Sequence, residues 1–118
     1  MICIPIISKT VEEAIIDIKL AEKEADVIEL RADYLKNPDV KFLIKSSQKP
    51  VIVTNRKKSE GGLYEGEERE RVKLLVEAMK SGADYIDIEF SVEDSILEEI
   101  KNKKENGCVK KRRSCQTL

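Results

Sequence analysis

In "ADVIELRADYL", residues 25 to 35, Glu29, Arg31 and Asp33 occupy every second position. In an extended chain successive side chains point to opposite faces, so these three share one face while Ile28, Leu30 and Ala32 share the other. An acid and a guanidinium placed this way can pair with each other and line a concave site. The carboxylate would hold a polar, uncharged group and the guanidinium would hold oxygen atoms. Arg56, just past the run "PVIVT", adds a second fixed cation behind Thr54 on the same face. Asp87 and Glu89 in "DYIDIEF" repeat the pattern. The competing explanation is structural, because charge networks also fill barrel interiors. Strand-end acids such as Asp33, Asp87 and Glu89 can simply orient a neighbour or cap the next helix.

The elements that must carry these residues alternate. "ICIPII" reads as a short apolar strand, and Thr10 with Glu13 three positions on forms a capping box that opens a helix with Val11, Ala14, Ile15, Ile18 and Ala21 on its buried stripe. The Val27 to Arg31 run is a second strand. Asn37 as cap and Pro38 at the first helical position open a second helix. "PVIVTNR" is a third strand. The charged, glycine-bearing loop "KKSEGGLYEG" leads to a helix with Val72, Leu75, Val76 and Met79 on one face, ending at Ser81 and Gly82. "DYIDIEF" is a fourth strand, and Ser91 with Asp94 opens a helix carrying Ile96, Leu97 and Ile100. The segment 65 to 80 presents its charges as an exposed helix surface.

This βα alternation specifies an α/β fold with a parallel sheet and its crossover helices outside. "ADVIEL" beginning at 25 and "ADYIDI" beginning at 83 form a weak internal repeat that suits βα modules. Strands buried on both faces read as nearly continuous apolar runs. Here one face turns polar near each carboxyl end, as at the mouth of a (β/α)8 barrel. The expectation is a partial (β/α)8, TIM-type barrel of about four βα units, with strands beginning near Ile2, Val27, Val51 and Tyr85.

Composition narrows the chemistry. The 118 residues amount to one domain, 41% of them hydrophobic, and 22 basic against 23 acidic residues leave no field that points to nucleic acid or an anionic membrane. No apolar run approaches the roughly 18 residues of a membrane span, and "MICIPII" lacks the features of a signal peptide, so the expected compartment is cytoplasmic. Cys3, Cys108 and Cys115 have no C-x-x-C spacing and read as reduced thiols. The chain contains no histidine. This removes the commonest general base and transition-metal ligand at once. "SEGGLYEG" lacks the order of a nucleotide-binding P-loop. Lys57 and Lys58 read as solvated loop residues, and Glu60 lies where it can flank the barrel mouth.

The sequences "IELRAD", "VIVTNRKKSEGG" and "GADYIDIE", in this order and spacing, resemble the N-terminal half of the type I 3-dehydroquinate dehydratases over residues 1 to about 105. The resemblance implies a barrel lyase of the shikimate pathway, in aromatic amino acid biosynthesis. It would convert 3-dehydroquinate to 3-dehydroshikimate and water through a Schiff base, with no metal and no organic cofactor. It also implies substrate binding by Glu29, Leu30 (through its backbone only), Arg31 and Arg56, a supporting role for Glu60 beside a catalytic histidine, and Asp87 and Glu89 as acids near the site. Pro5 stands where family members often carry a serine that touches substrate.

The family's strand-five histidine and strand-six imine-forming lysine have no counterpart, and Lys57, the nearest lysine to a strand mouth, is a poor substitute. After Gly107 the segment "CVKKRRSCQTL" places one valine beside Lys110 to Arg113, a composition unsuited to a buried strand. The expectation is therefore residues 1 to 107 as the N-terminal half of a barrel and 108 to 118 as a disordered basic tail outside the family, the product of a truncated or frame-shifted gene, inactive alone. Two other readings stay open: a non-catalytic, self-associating half-barrel binding module, consistent with a family that is often dimeric, and a "KKRR" nucleic-acid or targeting tail.

Overall fold

A computed structural model describes residues 1–89 and 108–112. Its elements run β1 (Cys3–Ile6), α1 (Val11–Ala21), β2 (Val27–Arg31), α2 (Val40–Ser46), β3 (Val51–Thr54), α3 (Glu68–Lys80), β4 (Tyr85–Glu89) and β5 (Cys108–Arg112). All neighbours pair in parallel, and the sheet order is β1-β2-β3-β4-β5. Strands laid down consecutively, with no reversal of order, form the wall of a barrel and not a doubly wound sheet, whose order switches partway.

Register separates the two faces. Ile28, Leu30, Val51, Val53 and Ile86 join Ala14 and Ile18 of α1, Leu43 of α2 and Leu75 and Met79 of α3 in one apolar core between sheet and helices. The opposite face carries Glu29, Arg31, Thr54 and Asp87. Arg31 stands level with Thr54, and Thr54 level with Asp87. The alternation read from the sequence thus delivers the charged residues to the face away from the helices.

The internal repeat has a structural meaning. The Asp26 carboxylate accepts from the backbone N–H of Ile2 at 2.7 Å, and Asp84 accepts from that of Val51 at 2.8 Å. In both places the same aspartate's N–H donates back to the same residue's carbonyl, at 2.8 and 3.0 Å. Each copy of Ala-Asp therefore clamps the start of the preceding strand and sets the register there.

The helix starts hold one confirmation and one correction. Thr10 caps α1 by accepting from Glu13 N–H at 3.2 Å. Glu13 reaches back one residue beyond the cap, to Lys9 N–H at 3.4 Å. In α2 the cap is Asp39, not Asn37: its Oδ1 accepts from Phe42 N–H at 3.2 Å, and Pro38 lies ahead of the cap. Starting there puts Val40, Leu43 and Ile44 on the buried face.

The basic segment meets the sheet. Cys108–Arg112 is a strand, paired residue for residue with Tyr85 through Glu89. Strand pairing is satisfied by backbone groups, and charged residues are common on outermost strands. Among the described residues β5 is such a strand. The expected helix after Ser91 and residues 113 to 118 lie outside the described residues.

Candidate functional site

Among the described side chains, the charged residues near the carboxyl ends of β2 to β4 are each held by a specific partner. Arg31, the last residue of β2, is 4% exposed. Its Nε and Nη2 donate to the two oxygens of Asp33 at 3.1 and 2.8 Å, and its guanidinium lies 5.0 Å over the Tyr34 ring. A two-pronged carboxylate grip fixes a guanidinium in plane as well as in position. Burial by itself pulls the Arg31 guanidinium down, but the bond to Asp33 and the charges of Asp33, Glu29 and Tyr34 outweigh it, so protonation is favoured more than usual.

Glu29 is buried one register step below and accepts the Thr54 hydroxyl across the β2/β3 pair at 2.8 Å. The expected Glu29 to Arg31 bond is therefore replaced by two others. The two side chains stand on one face, but each bonds elsewhere, Arg31 along its own chain and Glu29 across the sheet. Arg56, two residues past β3, donates from Nη2 to Asp87 of β4 at 2.9 Å, with both side chains nearly fully buried. Its Nε is buried and has no hydrogen-bond partner among the described residues.

The glycine-bearing loop after Arg56 is an ordered strap. Lys58–Glu60 makes a short 3₁₀ turn. Lys58 N–H donates to Tyr64 O and Tyr64 N–H donates to Arg56 O, both at 3.0 Å. A Cβ on Gly62 would sit 2.1 Å from the Arg56 carbonyl oxygen, so only glycine lets the strap lie this close. The strap's Leu63 N–H reaches Asp33 Oδ2 at 3.1 Å.

Most of the predicted site residues come together. Glu29, Arg31, Arg56 and Asp87 are buried side chains at one end of one face. Leu30 packs its side chain in the core on the other face, and Pro5 stands level with Glu29. Glu60 is half-buried in the strap. Lys58 pairs with Glu65 at 2.8 Å in the open. The side chain of Glu89 lies outside the described residues.

Sequence reasoning missed Arg71. This residue of α3 is fully buried, contrary to the expectation of an exposed charged surface. It donates to Asn55 O at 2.8 Å and, through Nε and Nη2, to Glu68 at 2.9 and 2.7 Å, while Asn55 donates back to the Arg71 carbonyl at 3.2 Å. It thereby pins the residue between Thr54 and Arg56. Its helical spacing to Leu75 and Ala78, which puts it on the apolar stripe, was the available signal.

A parallel α/β barrel wall with paired acids and arginines at the carboxyl ends of its strands has the layout of a barrel enzyme's active-site end. The model of the type I 3-dehydroquinase family matches residues 2–111, and the chain belongs to that family. It is 43% identical over 109 residues to the chloroplastic bifunctional 3-dehydroquinate dehydratase/shikimate dehydrogenase of Arabidopsis thaliana, covering 88% of this chain and 18% of that protein. It is 40% identical over 111 residues to the 3-dehydroquinate dehydratase of Methanococcus maripaludis, covering 94% of this chain and 50% of that one. The crystal structure of the type I 3-dehydroquinate dehydratase of Clostridium difficile with covalently modified comenic acid superposes with a TM-score of 0.77 at 27% identity, covering 86% of this chain and 45% of that one. The chain spans about half the length of the single-function relatives. The family match ends at residue 111, within β5.

Proposed function

We propose that this chain supplies the substrate-gripping half of a 3-dehydroquinate dehydratase site, with Glu29, Arg31 and Arg56 holding 3-dehydroquinate and Asp87 and Glu89 supporting them. The observation that carries this reading is the pair of buried guanidinium groups at the carboxyl ends of adjacent strands, each oriented by its own carboxylate. The buried Arg56 Nε has no partner among the described residues. Such groups suit the ring oxygens or carboxylate of a hydroxy acid.

The lyase chemistry implied by the resemblance needs a proton-transferring histidine and an imine-forming lysine. No histidine occurs in the 118 residues, so on this reading the chain binds substrate and turns it over only when those groups come from outside it. Titration calorimetry with 3-dehydroquinate tests the first part. Arg56→Ala should weaken binding by the loss of a charge-assisted contact of about 1.5 to 3 kcal/mol, whereas Lys58→Ala should leave it unchanged. Equal binding by the Arg56→Ala chain would sink the reading.

A second reading, a self-associating binding module, is favoured by one observation. Ile2, Ile7, Ile16 and Leu20, which flank β1 or lie on α1, are between 52% and 61% exposed, and β1 is an outer strand among the described residues. Sedimentation at several concentrations tests it: a monomer throughout, with no exposed-surface dye binding, removes it.

A further inference from the structure

We propose that Asp33 is a positioning residue that makes the orientation of Arg31 and the seating of the strap one coupled state. This deepens the substrate reading given above and rests on it for its functional meaning, but not for its physics.

The geometry concentrates two jobs on one oxygen. Asp33 Oδ2 accepts from Arg31 Nη2 at 2.8 Å and from Leu63 N–H at 3.1 Å, while Oδ1 takes Arg31 Nε at 3.1 Å. The Asp33 side chain has no exposure in its pair with Arg31, so that grip is not readily replaced by water, whereas the bond from Leu63 lies at the surface. The strap has little else to hold its tip. Leu63 is half exposed, so its apolar side chain contributes little burial there. What seats it are polar ties: the closure at Lys57 and Tyr64, the bond of Tyr64 N–H to Arg56 O, and the bond of Leu63 to Asp33, with Gly62 lying where a Cβ would strike the Arg56 backbone.

The strap therefore touches both arginines, Arg56 directly and Arg31 through Asp33. Lifting it removes a donor from the oxygen that orients Arg31. Turning Arg31 away removes the charge that holds Asp33 in place to receive Leu63. A ligand that draws on Arg31 in its observed orientation would by linkage favour the seated strap, and the reverse holds equally. The sequence pattern placed Asp33 on the face of Glu29 and Arg31, but its link to a loop thirty positions later exists only in three dimensions.

The test uses the 118-residue chain in solution, with the Leu63 amide followed by hydrogen exchange and the Arg31 Nε–Hε group by NMR. Gly62→Ala lifts the strap without touching Arg31. It should speed Leu63 exchange about tenfold or more and shift or broaden the Arg31 Nε–Hε signal in the same sample. A freed Leu63 beside an unchanged Arg31 signal would overturn the proposal. Asp33→Asn keeps the shape and loses the charge, so both readouts should move part of the way. Should Gly62→Ala not fold, Asp33→Ala must still free Leu63 and speed tryptic cleavage after Lys57 and Lys58, and protection of Leu63 in that variant would equally overturn it. Added 3-dehydroquinate should slow Leu63 exchange in the unmodified chain. No slowing, with the Gly62→Ala signals still moving together, would support the coupling and overturn the substrate reading of Arg31.

Discussion

Arg56 and Asp87 are joined by a 2.9 Å ion pair that links the end of β3 to β4, with side chains only 3% and 2% exposed. Removing one member of such a pair strands a charge in a medium that solvates it poorly, at a cost of about 3 to 5 kcal/mol. Replacing both with apolar residues avoids that cost. Asp87→Leu should therefore lower the urea midpoint sharply, and Arg56→Met with Asp87→Leu should recover much of the loss. A double variant no more stable than Asp87→Leu would show that the pair is not the source of the effect.

Acid stability should depend on Glu68. Its hydrogen bond to Arg71, chiefly, holds its carboxyl below the ordinary value of 4.5, against an opposing effect of burial. A depressed folded value means that the stabilisation is complete above about pH 4.5, the unfolded value, and is lost as pH falls through the lower folded value. Glu68→Gln should flatten the stability curve below pH 4.5 and lower the plateau above it, as followed by thermal unfolding between pH 3 and 7. An unchanged acid limb would exclude Glu68 as a contributor.

The paired clamps of Asp26 on Ile2, at the surface, and of Asp84 on Val51, half-buried, should be independent. Asp26→Ala and Asp84→Ala should each cost about 1 kcal/mol, with the double variant close to the sum, because the two sites share no partner. Chemical denaturation of the three variants checks this, and strong non-additivity would show that the strand starts are coupled through the sheet.

Borohydride reduces and thereby traps imines, so it separates substrate holding from lyase chemistry. Incubation of the 118-residue chain with 3-dehydroquinate and borohydride should leave no covalent adduct by intact mass, and dehydration should stay at background. Adding a polypeptide that carries the family's proton-transferring histidine and imine-forming lysine should restore both. An adduct on the 118-residue chain alone would identify one of its own lysines as the nucleophile and end the proposed division of labour.

Much of the fold was legible because it is a property of short stretches. Period-two alternation in Val27 to Arg31 and in Tyr85 to Glu89 sends charge to one face and aliphatic side chains to the other, whatever the rest of the chain does. Thr10 with Glu13, and Gly82 after α3, mark helix ends through local backbone chemistry. The motifs carried the family in the same way, because they are runs of residue types in order.

Only the tertiary structure decided who binds whom. Glu29 and Arg31 stand on one face of one strand, yet Glu29 bonds to Thr54 and Arg31 to Asp33, because the parallel register brings a hydroxyl within 2.8 Å of the acid. Asp39 displaced Asn37 as the cap because the helix must start where Val40, Leu43 and Ile44 reach the core. Arg71 looked like surface until Asn55 supplied a carbonyl for it inside the protein. Cys108–Arg112 looked unfit for a strand by hydropathy, but the bonds that make it one are backbone bonds to β4. Gly62 read as an ordinary loop glycine, and only the fold shows the Arg56 carbonyl beneath it. Residue types fix each segment's local preference; partners and close approaches depend on contacts between segments distant in sequence, which become defined only when the sheet closes its register.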